Sequence, residues 1–166
     1  DLGADFSGDL APEMRRCAAV VHCAALLSPA PDDDDAMARV NALGTQLLVR
    51  LAAQCGARRL VHLSSMSFLG RPAVLPVTEE HPLAPGDPYA RSKLHAEQSV
   101  THADTAGLIH GVSLRISSPV GPGLRRQRIF SRFADAADTG QDIVLHGKGG
   151  RRQDYVDVRD VARAVE

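Results

Sequence analysis

Short apolar runs alternate along this chain with longer stretches of helical periodicity, and that alternation admits few folds. Ala18-Ala19-Val20-Val21-His22-Cys23 reads as a buried strand. From about Asp34 to Gln54, Val40, Leu43, Leu47 and Leu51 recur at helical spacing, and Gly56 stands where a C-cap glycine belongs. Arg59-Leu60-Val61-His62-Leu63-Ser64 is the next strand, a helix follows from Pro88 to about Thr105, and Gly111-Val112-Ser113-Leu114-Arg115-Ile116 is a third strand. Strand, helix, strand in this order predicts a parallel sheet layered with helices, an α/β fold. Beyond Gly121-Pro122-Gly123 the pattern loosens. A helix is expected near Arg128–Ala137, short strands at Ile143-Val144-Leu145 and Asp154–Val158, and a last helix from about Asp160.

The helix from Pro88 carries the most chemistry. Asp87 is a favoured N-cap, and Pro88 fits the first helical position, where its missing N–H costs nothing. Tyr89 and Lys93 then lie one turn apart on the same face. A free phenol titrates near ~10. An ammonium about 5 Å away, at an effective dielectric of ~20, favours the phenolate by roughly 3 kcal/mol, which brings a tyrosinate toward the neutral pH where a general base works best. The Y-x-x-x-K spacing alone is common on helices, so its context has to decide.

Composition removes several alternatives. At 166 residues the chain is about one domain's worth, and its 44% hydrophobic and 23% charged residues describe an ordinary globular protein. A formal net charge of −1 gives no support for nucleic-acid or membrane-surface binding. No apolar run approaches the ~18 residues of a membrane span, and no signal peptide opens the chain. Cys17, Cys23 and Cys55 have no metal-ligand spacing and read as reduced cytosolic thiols, so a cytoplasmic location is expected. The acidic run Asp32–Asp35 reads as a solvated loop entering a helix, where negative charge suits the dipole, and no metal site is expected. The seven histidines form no H-E-x-x-H pattern and are assigned structural or incidental roles, His22 and His62 within strands.

Five segments in order carry a resemblance. They are Val20-Val21-His22-Cys23-Ala24-Ala25, Asn41-Ala42-Leu43-Gly44-Thr45, His62-Leu63-Ser64-Ser65-Met66-Ser67, Leu114 to Pro122, and Arg152 to Ala162, set around the Tyr89/Lys93 pair. Together they resemble the extended short-chain dehydrogenase/reductase superfamily, in particular its NAD-dependent epimerase/dehydratase branch, over nearly the whole chain. The resemblance implies a partial Rossmann-like, doubly wound parallel sheet in residues 1–120. Residues 121–166 would begin a small C-terminal substrate lobe and return to the sheet. In such sheets ligands bind outside the carboxyl ends of the strands, where Ala24-Ala25, Ser64-Ser65 and Ser117–Val120 are expected as strand-end segments.

Roles follow from the resemblance residue by residue. Tyr89 would exchange a proton with a substrate hydroxyl or carbonyl as hydride moves to or from a nicotinamide. Lys93 would hold the nicotinamide ribose and favour the phenolate. Ser65, five residues before Gly70, would polarise the substrate oxygen, with Ser64 and Ser67 as alternatives; Leu69-Gly70 replaces the family's Y-G. Cofactor contacts would come from Asp1, Leu2, Cys23, Ala24, Ala25, Asn41, Ser64, Tyr89, Lys93, Pro119 and Val120, with NAD or NADP as the cofactor. Asn41 would anchor a loop or the cofactor through its amide, unless it is a simple surface residue. Ser65, Ser118, Arg152 and Gln153 would contact a small-molecule substrate. The resemblance also implies a homodimer through a four-helix bundle of the 34–54 and 88–105 helices, with Leu47, Leu51, Leu94 and Val100 as candidate surface.

Some parts of the pattern are missing. The chain has no G-x-x-G-x-x-G turn and no acidic residue ending a second strand, the parts that hold pyrophosphate and adenosine ribose. It therefore reads as a fragment that begins mid-domain and stops before most of the substrate lobe, expected to fold poorly and to be inactive alone. Ser118 stands where many sugar-nucleotide enzymes carry Asn, and Gln153 where many carry a diphosphate-gripping Arg. A neutral amide cannot replace a bidentate guanidinium there, although Arg151 or Arg152 could compensate. These departures leave room for a smaller alcohol or ketone, as in hydroxysteroid-dehydrogenase-like reductases. A non-catalytic dinucleotide-binding or scaffold module is the alternative from outside enzymology, and the intact Ser/Tyr/Lys set argues against it.

Overall fold

The computed structural model describes residues 6–27, 35–124, 128–145, 147–150 and 152–166. The chain divides into two compact units, Asp1–Arg115 and Ile116–Glu166.

In the first unit, helix α1 (Phe6–Met14) precedes strand β1 (Ala19–His22). A π-helical segment, Ala38–Leu43, runs directly into α2 (Gly44–Gln54); then come β2 (Arg59–Leu63), a 3-10 turn at Ser67–Leu69, α3 (Pro88–Thr105) and β3 (His110–Leu114). The strands form one parallel sheet in the order β1-β2-β3. Its register sets His22 beside His62, and His62 beside Ser113. Alternation along a strand sends Val20 and His22 of β1, and Leu60 and His62 of β2, to one face. Leu60, His62 and His22 are buried there, whereas Val21 and Val112, of opposite parity, are 49% and 54% exposed. The core lies on the buried face, where Val49 and Ala52 of α2, Val100 and Ala103 of α3, Leu60, Ala57, Ile109 and Met14 pack together.

The start of α3 forms as its sequence predicts. The Asp87 carboxylate accepts from the Ala90 N–H at 2.7 Å, and Pro88 occupies the first turn. Gly107, at φ 67°, lets the chain leave the helix in the left-handed region. Gly111 matters for space rather than for backbone conformation. A Cβ there would lie 2.8 Å from Val100 Cγ1 and 3.1 Å from the Val100 carbonyl oxygen, so its bareness lets α3 lie close on the sheet.

The second unit holds β4 (Ser118–Val120), α4 (Ile129–Asp138), β5 (Tyr155–Asp157) and α5 (Val158–Val165), with β4 and β5 paired in parallel. Phe130 of α4 meets Tyr155 with ring centroids 5.3 Å apart. Asp157 caps α5 by accepting from the Arg159 N–H.

Four expectations are corrected. Ile143-Val144-Leu145 is not a strand; its side chains are largely exposed, and among the described residues no strand pairs with it. Ser118-Pro119-Val120, expected as a strand-end segment, is itself a strand. A two-stranded sheet tolerates Pro119 because its strands are edges. The alternative of a simple surface residue fails for Asn41, which lies inside the π-helical segment and is 2% exposed. Of the candidate subunit-contact residues, Val100 is core at 1% exposure, while Leu51 and Leu94 pack partly against the two hydrophobic clusters; Leu47 stays 46% exposed.

Candidate active site

The C-terminal ends of β1 and β2 and the first half of α3 gather the polar side chains of the first unit. Lys93 is 3% exposed, and its Nζ donates to the Leu63 carbonyl oxygen at 2.7 Å and lies 2.9 Å from His62 Nε2. Tyr89, half-buried, stands one turn earlier on the same helix. Glu97, one turn later, accepts from the Ser64 hydroxyl at 2.7 Å and from the Arg115 guanidinium, whose NH2 group is 2.7 Å away. Arg115 also donates to the Glu79 carbonyl oxygen and lies over the Phe68 ring. The 3-10 turn after Ser65 is held by packing: Phe68 and Leu69 are buried against Ala90, with Met66 and Leu94 beside them. Helix α3 is thus tied to the Leu63–Leu69 segment by an ammonium, a carboxylate and an apolar cluster.

Ser65 sits within that segment, half-buried, its hydroxyl donating to Ser67 Oγ at 3.0 Å and accepting from the Ser67 N–H. Ser64 is buried and engaged by Glu97. The alternatives left open among the three serines therefore differ in kind: Ser64 is tied into a buried ion-pair network, Ser65 is half-buried and bonded only to Ser67 among the described residues, and Ser67 is exposed.

Asn41 uses its whole amide. Its Oδ1 accepts from the Leu26 N–H at 2.7 Å, and its Nδ2 donates to the Leu26 carbonyl and to Ser92 Oγ, both at 2.9 Å. It fastens the segment after β1, where Cys23, Ala24 and Ala25 are exposed, to the residue next to Lys93. In the second unit, Gln153 donates to the Ser118 hydroxyl, and Arg152 and Pro119 are exposed. Asp1, Leu2 and Arg151 lie outside the described residues.

Two histidines, for which the sequence suggests structural or incidental roles, belong to this cluster. His62 is fully buried beneath Lys93, and His22 stacks on it with centroids 5.4 Å apart. The signal was in the sequence: both share strand parity with Val20 and Leu60, so they had to face the helices. Burial pushes the Lys93 ammonium down to about 8, against the pull of Glu97 and Cys23. Burial, then Lys93, lowers His22 to about 4. The same two causes and His22 lower His62 to about 3. At neutral pH both rings are uncharged, and the cation beside them is the lysine. No buried side-chain polar atom among the described residues lacks a hydrogen-bond partner.

The sequence pattern of the NAD dependent epimerase/dehydratase family matches residues 7–166. The chain belongs to this family. Among its members, the UDP-glucose 4-epimerase of Mycolicibacterium smegmatis is 31% identical over 175 residues, covering 98% of this chain and 53% of that protein. The dTDP-glucose 4,6-dehydratase of Streptomyces niveus is 28% identical over 128 residues, 77% of this chain and 38% of that enzyme. The solved structure of MoeE5 in complex with UDP-glucuronic acid and NAD superposes with a TM-score of 0.82 at 30% identity, over 99% of this chain and 55% of that one. The chain thus spans about half the length of the family members it matches. Its α/β architecture with parallel strands is that of these NAD-binding relatives. No helix among the described residues is long and apolar enough to cross a membrane.

Proposed function

We propose that the whole protein is an NAD(P)-dependent epimerase, dehydratase or related oxidoreductase acting on a sugar nucleotide or a similar alcohol or ketone, with Ser65, Tyr89 and Lys93 carrying proton transfer. The observation that carries this reading is the seating of Lys93 at the carboxyl end of β2, one turn from Tyr89 and beside the segment that bears Ser65. The donor set suits a dinucleotide. Two of the lysine's three N–H donors have partners among the described residues, which leaves one for a ribose hydroxyl. The small exposed residues Ala24 and Ala25 allow a flat ring system to approach the sheet end.

When bound, the dinucleotide supplies the hydride acceptor and donor. Tyr89 takes the proton of the substrate hydroxyl as the C–H bond is cleaved and returns it when the carbonyl is reduced. Ser65 hydrogen-bonds the same oxygen, and Lys93 supplies positive charge one turn from the phenol. In the second unit, Ser118 and Gln153 read a neutral polar group of the substrate and Arg152 supplies a cation. The epimerase and dehydratase relatives, and the UDP-glucuronic acid bound by MoeE5, favour a sugar nucleotide over a simpler ketone. By the same reading the 166-residue chain alone is inactive, and the whole protein is a cytoplasmic homodimer joined through α2 and α3. The exposure of Leu43 and Leu47 favours that dimer; sedimentation as a monomer at micromolar concentration would remove it.

The test uses the whole protein with UDP-glucose, UDP-glucuronate and dTDP-glucose, each with NAD or NADP. Tyr89→Phe should lower kcat on the order of 10³-fold, as expected for loss of a general acid/base, with dinucleotide affinity nearly unchanged. Unchanged turnover in that variant rejects the role of Tyr89. Failure to bind either dinucleotide rejects the whole reading in favour of a scaffold.

A further inference from the structure

We propose that His62 is a positioning residue for Lys93: its buried imidazole, fixed as the Nδ1–H tautomer, seats the lysine ammonium at the end of β2. The proposal rests on the reading that Lys93 belongs to a reaction centre, and it adds a residue that reading does not use.

The assignment follows from donor counting. An ammonium has three donors and no acceptor, so the His62 Nε2 that lies 2.9 Å from Lys93 Nζ must offer a lone pair. The ring proton therefore resides on Nδ1, which faces Ser113 Oγ at 3.3 Å. The neighbouring ring resolves the opposite way. The Thr45 hydroxyl spends its proton on the Asn41 carbonyl at 2.6 Å, so it accepts from His22, 2.8 Å away, and His22 is the Nε2–H tautomer. Two stacked imidazoles thus carry opposite tautomers, and His62 turns its unprotonated Nε2 to the lysine.

Among the described residues, the titratable groups acting on Lys93 are Glu97 from its own helix, His22 and Cys23 from β1 and the residue after it, and His62 from β2, with Tyr89 one turn earlier on the helix. Glu97 is committed to Ser64 and Arg115. Among the described residues, a neutral nitrogen and a carbonyl oxygen hold the cation directly. A protonated His62 could not accept and would repel the ammonium, and burial keeps its proton affinity far too low for that at neutral pH. The seat is therefore intact at neutral pH. Two of the lysine's three N–H bonds are committed within the protein, and the side chain cannot swing off the end of β2 without abandoning both.

The test is a nitrogen NMR titration of the whole protein labelled with ¹⁵N-histidine and ¹⁵N-lysine, without added dinucleotide. His62 should show an unprotonated Nε2 and a protonated Nδ1, and His22 the reverse; a protonated Nε2 on His62 overturns the proposal. In His62→Leu the lysine loses an acceptor for its charged form, and its Nζ titration should fall by about one pH unit. His62→Gln, which restores an acceptor oxygen, should return it close to the unsubstituted value. An unmoved titration in His62→Leu also overturns the proposal. If that variant does not fold, the tautomer signature and the His62→Gln titration decide. A seated lysine together with full turnover in Tyr89→Phe would leave this proposal standing and reject the reaction centre, so the two failures are distinguishable.

Discussion

The buried face of α3 changes character halfway along its length. Up to Glu97 the buried residues are Ser92, Lys93 and Glu97 with two small alanines, Ala90 and Ala96; beyond it they are Val100 and Ala103, apolar throughout. The sheet beneath changes in step. Leu60, and Ile109 just before β3, meet the apolar half, while His62, Leu63 and Ser64 meet the polar half. The apolar end behaves as a core, its stabilisation proportional to surface withdrawn from water at about 25 cal/mol per Å². The polar end gains less, because each hydrogen bond formed replaces one to water and nets only about 1 kcal/mol. Burying an ammonium there is a net cost, visible in the lowered Lys93. The chain holds its fold at one end of the layer and tolerates that cost at the other, where ligands reach a parallel sheet.

Acid should break the two ends apart most strongly. His22 and His62 titrate in the folded protein at about 4 and about 3, below their ordinary value of 6.5. The unfolded chain therefore binds more protons than the folded one. The stability these rings contribute is full above about pH 6.5 and is lost as pH falls through their folded values. Between pH 7 and pH 5 each ring should remove about 2 kcal/mol. Urea denaturation followed by circular dichroism at the two pH values measures the sum, and hydrogen exchange should place the loosening at the first half of α3. Stability that stays flat between pH 7 and pH 5 would mean the rings are not buried neutral beneath the lysine.

The two halves were also unequally legible in the sequence. The apolar half announces itself through Val, Leu and Ala at regular spacing, and the start of α3 through Asp87-Pro88, because caps and periodicity are local signals. The Tyr89/Lys93 spacing was visible for the same reason. What no local signal reveals is which distant side chain satisfies a buried polar group. That Glu97 would meet Ser64 and Arg115, and that Asn41 would clasp Leu26 and Ser92, depends on packing between elements far apart in the chain. His22 and His62 fall between these cases: strand parity placed them on the helix side, but a histidine within an apolar run invites an incidental reading. Helix α1 went unseen because Pro12 interrupts its pattern. The Ile143–Leu145 run misled because three apolar residues in a row need a pairing partner before they become a strand.

A smaller effect sharpens the comparison from the apolar end. In Gly111→Ala the added methyl would lie 2.8 Å from Val100 Cγ1 and 3.1 Å from the Val100 carbonyl oxygen. The side chain can turn, but the carbonyl belongs to the helix backbone and moves only with α3. Overpacking of this kind should cost about 2 kcal/mol in urea denaturation. Val100→Ala alone loses buried methyls, whereas the double variant relieves the clash with Cγ1 and should be more stable than the sum of the two single effects, a coupling expected for residues in contact. The clash lies nearly two turns from Lys93, and the lysine is held by His62 and Leu63 rather than by Val100. The Lys93 Nζ titration should therefore stay in place in Gly111→Ala while the folded protein loses stability. If the titration moves with the clash, α3 transmits strain along its length and its two ends are one unit; if it stays, the core end can be weakened without disturbing the seat of the lysine.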